Sequence, residues 1–254
     1  MSYAVCCVPV APLRKEPIHT AEIISQLLFG ECGMVSIAEE GWVKITCKLD
    51  GYTGWCQLAH INYIDIAVYE DDAFIAAGWV NELEYNGQMM MVPFGSSLPV
   101  MHNRKMIWRD QSVNFEGEIW KPSKAKRDSE TITQIAFTFI NTAYLWGGRS
   151  VFGTDCSGFT QLVYKFLHYP LLRDANQQAT QGEVVNFLQE ARCGDLAFFD
   201  DVDGNIIHVG LLLNEHEIIH ASGAVRIDKI DNQGIMNATT GERTQKLRII
   251  KRYF

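Results

Sequence analysis

The segment Thr154-Asp-Cys-Ser-Gly-Phe159 sets a cysteine between Gly153 and Gly158, at the head of an apolar-periodic stretch. A helix start carries partial positive charge and unpaired N–H groups. Both favour a thiolate, the nucleophilic form of cysteine. The same N–H groups can receive an oxyanion during acyl transfer. Position alone leaves an equal alternative, a small buried residue at a helix start. A nucleophilic thiol also needs a base in hydrogen-bond reach and a group that orients the base. His208 lies in Ile206-Ile-His-Val-Gly-Leu-Leu-Leu213 and His220 in Ile218-Ile-His-Ala-Ser222, with the polar turn Asn214-Glu-His216 between them. A hairpin folded there brings the two histidines within a residue or two of register. Their even offset of 12 lets both face one side, where neighbouring side chains stand about 5 Å apart. Cys156, His208 and His220 thus read as nucleophile, base and orienting group. A zinc site made of the same three residues, with an open fourth position, is the chemical rival; the Asp-Cys-Ser-Gly helix start fits a nucleophile better. His19, His60, His102, His168 and His216 have polar or loop-like contexts and read as surface residues.

The elements that must position these residues follow from periodicity. Ile132, Ile135, Ala136, Phe139 and Ile140 form one helical stripe, with Asp128 or Ser129 available as N-cap. Phe159, Leu162, Val163, Phe166 and Leu167 repeat the pattern behind Cys156. Strands are expected at Asp195–Phe199, Ile206–Leu213 and Glu217–Ala221. Helices followed by antiparallel strands make an α+β domain. Before residue 128 the chain reads as small β units. Gly41-Trp-Val-Lys-Ile-Thr46 alternates as a half-buried strand does, and Gly51-Tyr-Thr-Gly-Trp55 is a turn entering another strand. Helical pattern there is confined to the neighbourhood of Asp71–Ala77. Phe29-Gly30, Val35 and Trp55 recur at an offset of 65 as Phe94-Gly95, Val100 and Trp120. Two similar barrels of about 60 residues would produce such a repeat; one larger, irregular β domain is the alternative. Lys121-Pro-Ser-Lys-Ala-Lys-Arg127 reads as a solvated linker, and Met89-Met-Met91 as core filling.

The chain has a net charge of −8. The acidity is spread evenly: 4 basic against 6 acidic residues in 1–63, 7 against 9 in 64–127, and 11 against 15 in 128–254. No region has the basic surplus that a phosphate backbone or an anionic membrane would require, and no apolar run is long enough to span a bilayer. Neither nucleic acid nor membrane is expected as a partner, and a monomer is expected. The seven cysteines are odd in number and lack paired CxxC motifs; buried, inert thiols in a reducing compartment are expected. The first residues lack a basic n-region, and Pro9 and Pro12 interrupt the apolar stretch. A cytoplasmic location is therefore expected, with export as the alternative.

Tyr144-Leu-Trp-Gly-Gly148, Asp155-Cys-Ser-Gly158, Gly194-Asp-Leu196, His208-Val-Gly210 and His220-Ala-Ser222 occur in that order. This set resembles the NlpC family of papain-like cysteine peptidases, over residues 128–254. The first half is similar to the bacterial Src-homology-three barrels that often precede that catalytic domain. The resemblance implies a multidomain chain of two small all-β barrels followed by an α+β papain-like cysteine peptidase domain. The first barrel would occupy 1–63, the second barrel plus linker 64–127, and the peptidase 128–254. It implies that Cys156 attacks the carbonyl, that His208 is base and then acid, that His220 orients His208, and that Tyr144 lines the oxyanion hole. Gly147 and Gly148 would allow close backbone approach. No metal or organic cofactor is implied.

The substrate implied is a small murein peptide, cut between D-glutamate and a diamino acid in cell-wall recycling. The closest-looking subgroup requires a free N-terminal L-Ala. Asp174 would read that ammonium end, with Glu22 and Tyr52 from the first barrel, and Asp155 and Ser157 would also contact substrate. Ala175 departs from the subgroup, where a hydroxyl residue often follows the aspartate. A secreted wall-remodelling hydrolase, a related amidase or acyltransferase, and a non-catalytic wall-binding protein are the competing readings.

Overall fold

The computed structural model describes residues 2–254. By packing, the chain forms two units, one of residues 1–124 with 146–152 and one of 125–145 with 153–254.

The first unit is built from short, alternating strands. Its larger sheet has seven, in the order Ile23–Leu28, Val10–Arg14, Thr53–Gln57, Trp42–Cys47, Cys32–Glu39, Ser2–Cys6 and Ile61–Ile64. The alternation read at Gly41–Thr46 appears as the strand Trp42–Cys47, which buries Trp42, Val43, Ile45 and Cys47. Ala4, Leu13, Leu27, Val43, Ile45 and Cys56 close one core. The remainder holds a four-stranded sheet (Gln88–Pro93, Val80–Tyr85, Gln111–Phe115, Lys105–Trp108) and a three-stranded one (Ser97–Leu98, Phe74–Ala76, Ile119–Trp120). Trp108, Val113 and Phe115 share a second core with Val5 and Phe29.

The Phe-Gly pairs of the repeat do the same job twice. Phe29 and Phe94 are buried, and the N–H groups of Gly30 and Gly95 donate at 2.9 Å to the carbonyls of Cys6 and Ala76, each at a strand's end. Three expectations need correction here. The helix of this half is α1 (Ile66–Glu70), just before the expected stretch, whose residues Phe74–Ala76 form a strand instead. Met89 and Met91 are 61% and 56% exposed. They occupy outward positions of a strand that buries only one face, so Met90 alone packs on the core. Gly147 (φ +75°) approaches backbone, as expected, but that backbone is the protein's own, since a Cβ there would stand 2.4 Å from the Ile23 carbonyl oxygen. The turn around it is fixed by Arg149, 2% exposed, which pairs with Glu31 through two bonds of 3.0 and 3.1 Å and donates to the Gln26 carbonyl at 2.6 Å.

The second unit has three α-helices on a curled sheet. Helix α2 (Ser129–Phe137) starts where Asp128 caps it, accepting from Thr131 N–H at 2.9 Å, and buries Ile132, Ile135 and Ala136. Helix α3 (Cys156–Phe166) is buried on every side. Its Phe159, Leu162, Val163 and Phe166 each contribute about 1.5–3 kcal/mol of apolar burial. The short α4 (Ala175–Gln178) follows. The sheet runs Glu183–Val185, Arg243–Arg252, Leu196–Asp200, Ile206–Leu212, Glu217–Ser222, Ala224–Asp231 and Gly234–Met236. Arg243–Arg252 also pairs with Gly234–Met236, so six strands close on themselves. Helix α3 packs on the strands that carry His208 and His220.

All seven cysteines are free thiols and only Cys193 is appreciably exposed. Burial pushes the Cys6 and Cys47 thiols well up and that of Cys56 to about 12, which leaves them as small core hydrophobes.

Candidate active site

Cys156 is the first residue of α3, and Asp155 before it is the N-cap, accepting from Gly158 N–H at 2.7 Å. Asp155 also receives a two-pronged ion pair from Arg173, at 3.0 Å to Oδ1 and 2.6 Å to Oδ2. The same guanidinium donates to Ser157 Oγ at 2.9 Å. Gln178, fully buried, donates to the carbonyls of Ser157 and Leu172 and accepts from Thr160. The start of α3 is thereby held from outside the helix by two side chains that sequence reading overlooks. An Arg before Asp174 and a Gln in a polar helix give no periodic signal of burial.

The sequence reading expects a thiolate at this helix start. Against the helix start stands burial, since Cys156 is 7% exposed. Burial pushes its thiol up to about 12, and the Asp155 carboxylate adds to the rise. The Val209 N–H, the Arg173 guanidinium and the Ser157 N–H pull the other way and are outweighed. Val209 follows His208 directly, so the sulfur sits beside the histidine strand.

His208 and His220 meet as the hairpin requires. The strands pair Leu211 with Ile219 and Leu212 with Ile218, and continuing that register sets Gly210 across from His220 and His208 one diagonal step away. A Cβ at Gly210 would lie 2.9 Å from the His220 Cβ and 2.6 Å from Ile218 Cδ1, so glycine there makes room for the histidine. His208 Nε2 is 2.8 Å from His220 Nδ1. His220 Nε2 is 3.0 Å from Asp228 Oδ2. Burial, with His220 beside it, pushes His208 down to about 3, so it rests neutral. Burial pushes the Asp228 carboxyl up, but hydrogen bonds from His220, Ala238 and Arg226 outweigh it and hold it at about 2. Asp228 is absent from the sequence reading. Its signal is its even offset of 8 from His220, legible only once the next strand's pairing is known. Both His220 ring nitrogens are engaged, by His208 and by Asp228, and among the described residues no three His, Cys, Asp or Glu side chains are grouped as metal ligands would be.

Tyr144 is clamped by backbone on two sides. Its N–H donates to the Gly223 carbonyl at 2.9 Å, and Leu145 N–H donates to Thr154 at 3.0 Å. These fix it between the end of the His220 strand and the approach to Cys156. Burial pushes its phenol up to about 12, with the Cys156 thiol and the Asp155 carboxylate adding to the rise. It therefore stays a neutral O–H donor.

Comparison with known proteins gives the family. The NlpC/P60 family model matches residues 141–244, and the bacterial dipeptidyl-peptidase Sh3 domain matches residues 13–61. Dipeptidyl-peptidase 6 of Lysinibacillus sphaericus is 33% identical over 270 residues, covering 91% of this chain and 92% of that protein. The chain belongs to the NlpC/P60 family. Gamma-D-glutamyl-L-lysine dipeptidyl-peptidase of Bacillus subtilis is 29% identical over 214 residues, covering 78% of this chain and 72% of that one. An NlpC/P60 family protein from Bacillus cereus has the same fold, with a TM-score of 0.82 at 19% identity over 99% of both chains. This NlpC/P60 protein is thus a hydrolase of a cysteine peptidase family with a Src-homology-three-like N-terminal domain.

The remaining residues expected at an NlpC/P60 site are held as follows, each within its own unit. Asp174 caps α4 in a reciprocal capping box, its N–H donating to Gln177 Oε1 at 3.1 Å; Ala175 is the first residue of that helix. Glu22 and Tyr52 belong to the first unit. Glu22 is exposed and accepts from Trp146 Nε1 at 2.8 Å. Tyr52 is half-buried on the turn before Thr53–Gln57, its N–H donating to Asp50 at 2.9 Å. Asp155 and Ser157 are 5% exposed each, and their Arg173 bonds make them part of the frame that holds Cys156.

Proposed function

We propose that Cys156, His208, His220 and Tyr144 carry out hydrolysis of the γ-D-glutamyl-L-diamino-acid bond of murein peptides. The observation that carries this reading is the line His208–His220–Asp228 beside the Cys156 sulfur at the head of α3. The names of the Bacillus subtilis and Bacillus cereus relatives, which specify gamma-D-glutamyl-L-lysine, support the bond.

The chemistry follows from the resting states. The thiol proton passes to His208 as sulfur attacks the carbonyl, because the thiol does not ionise alone. Tyr144 O–H and the Cys156 N–H at the helix start donate to the oxyanion. His208 returns the proton to the departing amine, leaving a thioester. Water, deprotonated by His208, then releases the γ-D-glutamyl product. No metal or organic cofactor enters these steps.

The substrate is a small murein peptide with a free N-terminal L-Ala. Asp174, Glu22 and Tyr52 read its ammonium end, a charge-assisted recognition. The domain reading that accompanies this is a first barrel in 1–63, a second in 64–127 and a papain-like peptidase in 128–254, acting as a monomer. Among the described residues no helix is long and apolar enough to cross a membrane. The net charge of −8 suits soluble peptides better than an anionic wall polymer, so the role is recycling of imported wall peptides in the cytoplasm.

The test is product analysis with L-Ala-γ-D-Glu-diamino-acid tripeptide, with and without an N-acetyl cap, using the wild type and Cys156→Ala. Release of L-Ala-D-Glu from the uncapped peptide alone, and by wild type alone, is expected. Equal cleavage of the capped peptide would remove the ammonium recognition, and cleavage by Cys156→Ala would remove the nucleophile.

A further inference from the structure

Asp228 lies at the far end of the histidine line, 2% exposed at its side chain. Its two oxygens have different partners. Oδ2 faces only His220 Nε2, at 3.0 Å. Oδ1 accepts from Arg226 Nη2 at 2.8 Å and from Ala238 N–H at 2.8 Å. Arg226 is itself braced, its Nη2 lying 3.0 Å from Asn237 Oδ1 and 3.3 Å from Thr239 Oγ1. The carboxylate therefore cannot turn without breaking two bonds.

A carboxylate is an acceptor only, so the His220 nitrogen against it carries hydrogen. In the neutral ring the other nitrogen, Nδ1, then has the lone pair. Nδ1 faces His208 Nε2 at 2.8 Å, so His208 must be the donor there, and its own lone pair is left on Nδ1. We propose that Asp228, locked by Arg226 and the Ala238 N–H, is the positioning residue that sets the proton direction along the pair, keeping His208 Nδ1 unprotonated as the basic atom. The inference rests on reading His208 as the base of Cys156, and it concerns how that base is kept ready.

The lock makes a distinctive prediction about Asp228→Asn. The two donors on Oδ1 claim the amide oxygen, which turns the amide NH₂ toward His220 Nε2. That nitrogen must then accept, the proton moves to His220 Nδ1, and the direction reverses, placing hydrogen on His208 Nδ1. Asp228→Ala imposes no direction. The near-isosteric Asn variant should therefore be the worse of the two, the opposite of what a merely structural role gives.

Two readouts in the full-length protein test this without needing the substrate. In wild type labelled with nitrogen-15 at histidine, ring spectra should show hydrogen on Nε2 of both His208 and His220; hydrogen on Nδ1 of either would overturn the proposal. Alkylation of Cys156 by iodoacetamide, located by peptide mapping, should be slowest in Asp228→Asn, at least about tenfold below wild type, with Asp228→Ala between them. Where tripeptide is cleaved, kcat should fall in the same order by about 10²–10⁴-fold for Asn, the range a lost general base produces, with KM little changed. Equal or faster alkylation in Asn than in Ala would also overturn it. A wild type that cleaves no tripeptide yet shows the expected tautomers and alkylation order would refute the substrate assignment and leave this inference standing.

Discussion

Burial pushes the Cys156 thiol up to about 12, so attack draws on a neutral His208 to take the proton. Protonating His208 removes that acceptor. Because burial and His220 place it at about 3, falling pH reaches it later than an ordinary histidine at about 6.5. The acid limb of kcat/KM is therefore expected below pH 6.5, and a limb at 6.5 or above would contradict the buried-base picture. The sign for stability is the same: depressed values mean that stability is present above the unfolded values and is lost as pH falls through the folded ones. Denaturation midpoints should drop as pH falls from about 6.5 toward 3 through His208, and again near 2 through Asp228. The Arg173–Asp155 pair is the other residue-scale lever, its side chains 1% and 7% exposed. Arg173→Met leaves a buried carboxylate beside the nucleophile. It should cost about 3–5 kcal/mol in urea unfolding and slow Cys156 alkylation as well, and unchanged stability would show that Asp155 finds another partner.

Gly210 shows how elements, not residues alone, assemble the site. Gly210→Ala drives a Cβ to within 2.6 Å of Ile218 Cδ1 and 2.9 Å of the His220 Cβ, splaying the two strands where the histidines meet. A loss of about 1–3 kcal/mol is expected, with kcat falling more than KM rises; an unaffected kcat would mean that the histidine contact tolerates the shift. Helices α2 and α3 were legible because each carries an apolar stripe of period 3.6, and the histidine hairpin because two short apolar runs flank a polar turn. The strand Arg243–Arg252 was not. Its first half is Arg-Thr-Gln-Lys, with no apolar alternation, yet it closes the sheet by backbone pairing on both sides. Asp228 was missed for the same reason, since its place depends on the register of Glu217–Ser222 with Ala224–Asp231, which no local pattern encodes. Met89 and Met91 were misread because composition does not say which face of a strand is covered.

At the scale of the whole chain, one charged contact does unusual duty in the first unit. Arg149 reaches Glu31 and Gln26 across more than a hundred residues of sequence, with Arg149 and Glu31 side chains only 3% and 6% exposed. Arg149→Ala strands the Glu31 carboxylate in that interior and should lower stability by about 3–5 kcal/mol, read from the urea midpoint; a change under about 0.5 kcal/mol, typical of a surface site, would contradict it. Such a contact could not be read from sequence, where Trp146–Phe152 stands among the catalytic motifs. The account as a whole turns on Cys156 as the atom that takes the acyl group. The most direct measurement is acid quenching of the wild-type enzyme during turnover of the uncapped tripeptide, followed by mass mapping of all seven cysteines. The account predicts a mass increment of one L-Ala-γ-D-glutamyl group on Cys156 alone, absent in His208→Ala. Steady cleavage with Cys156 unmodified at every quench time, or an adduct on another cysteine, would contradict it.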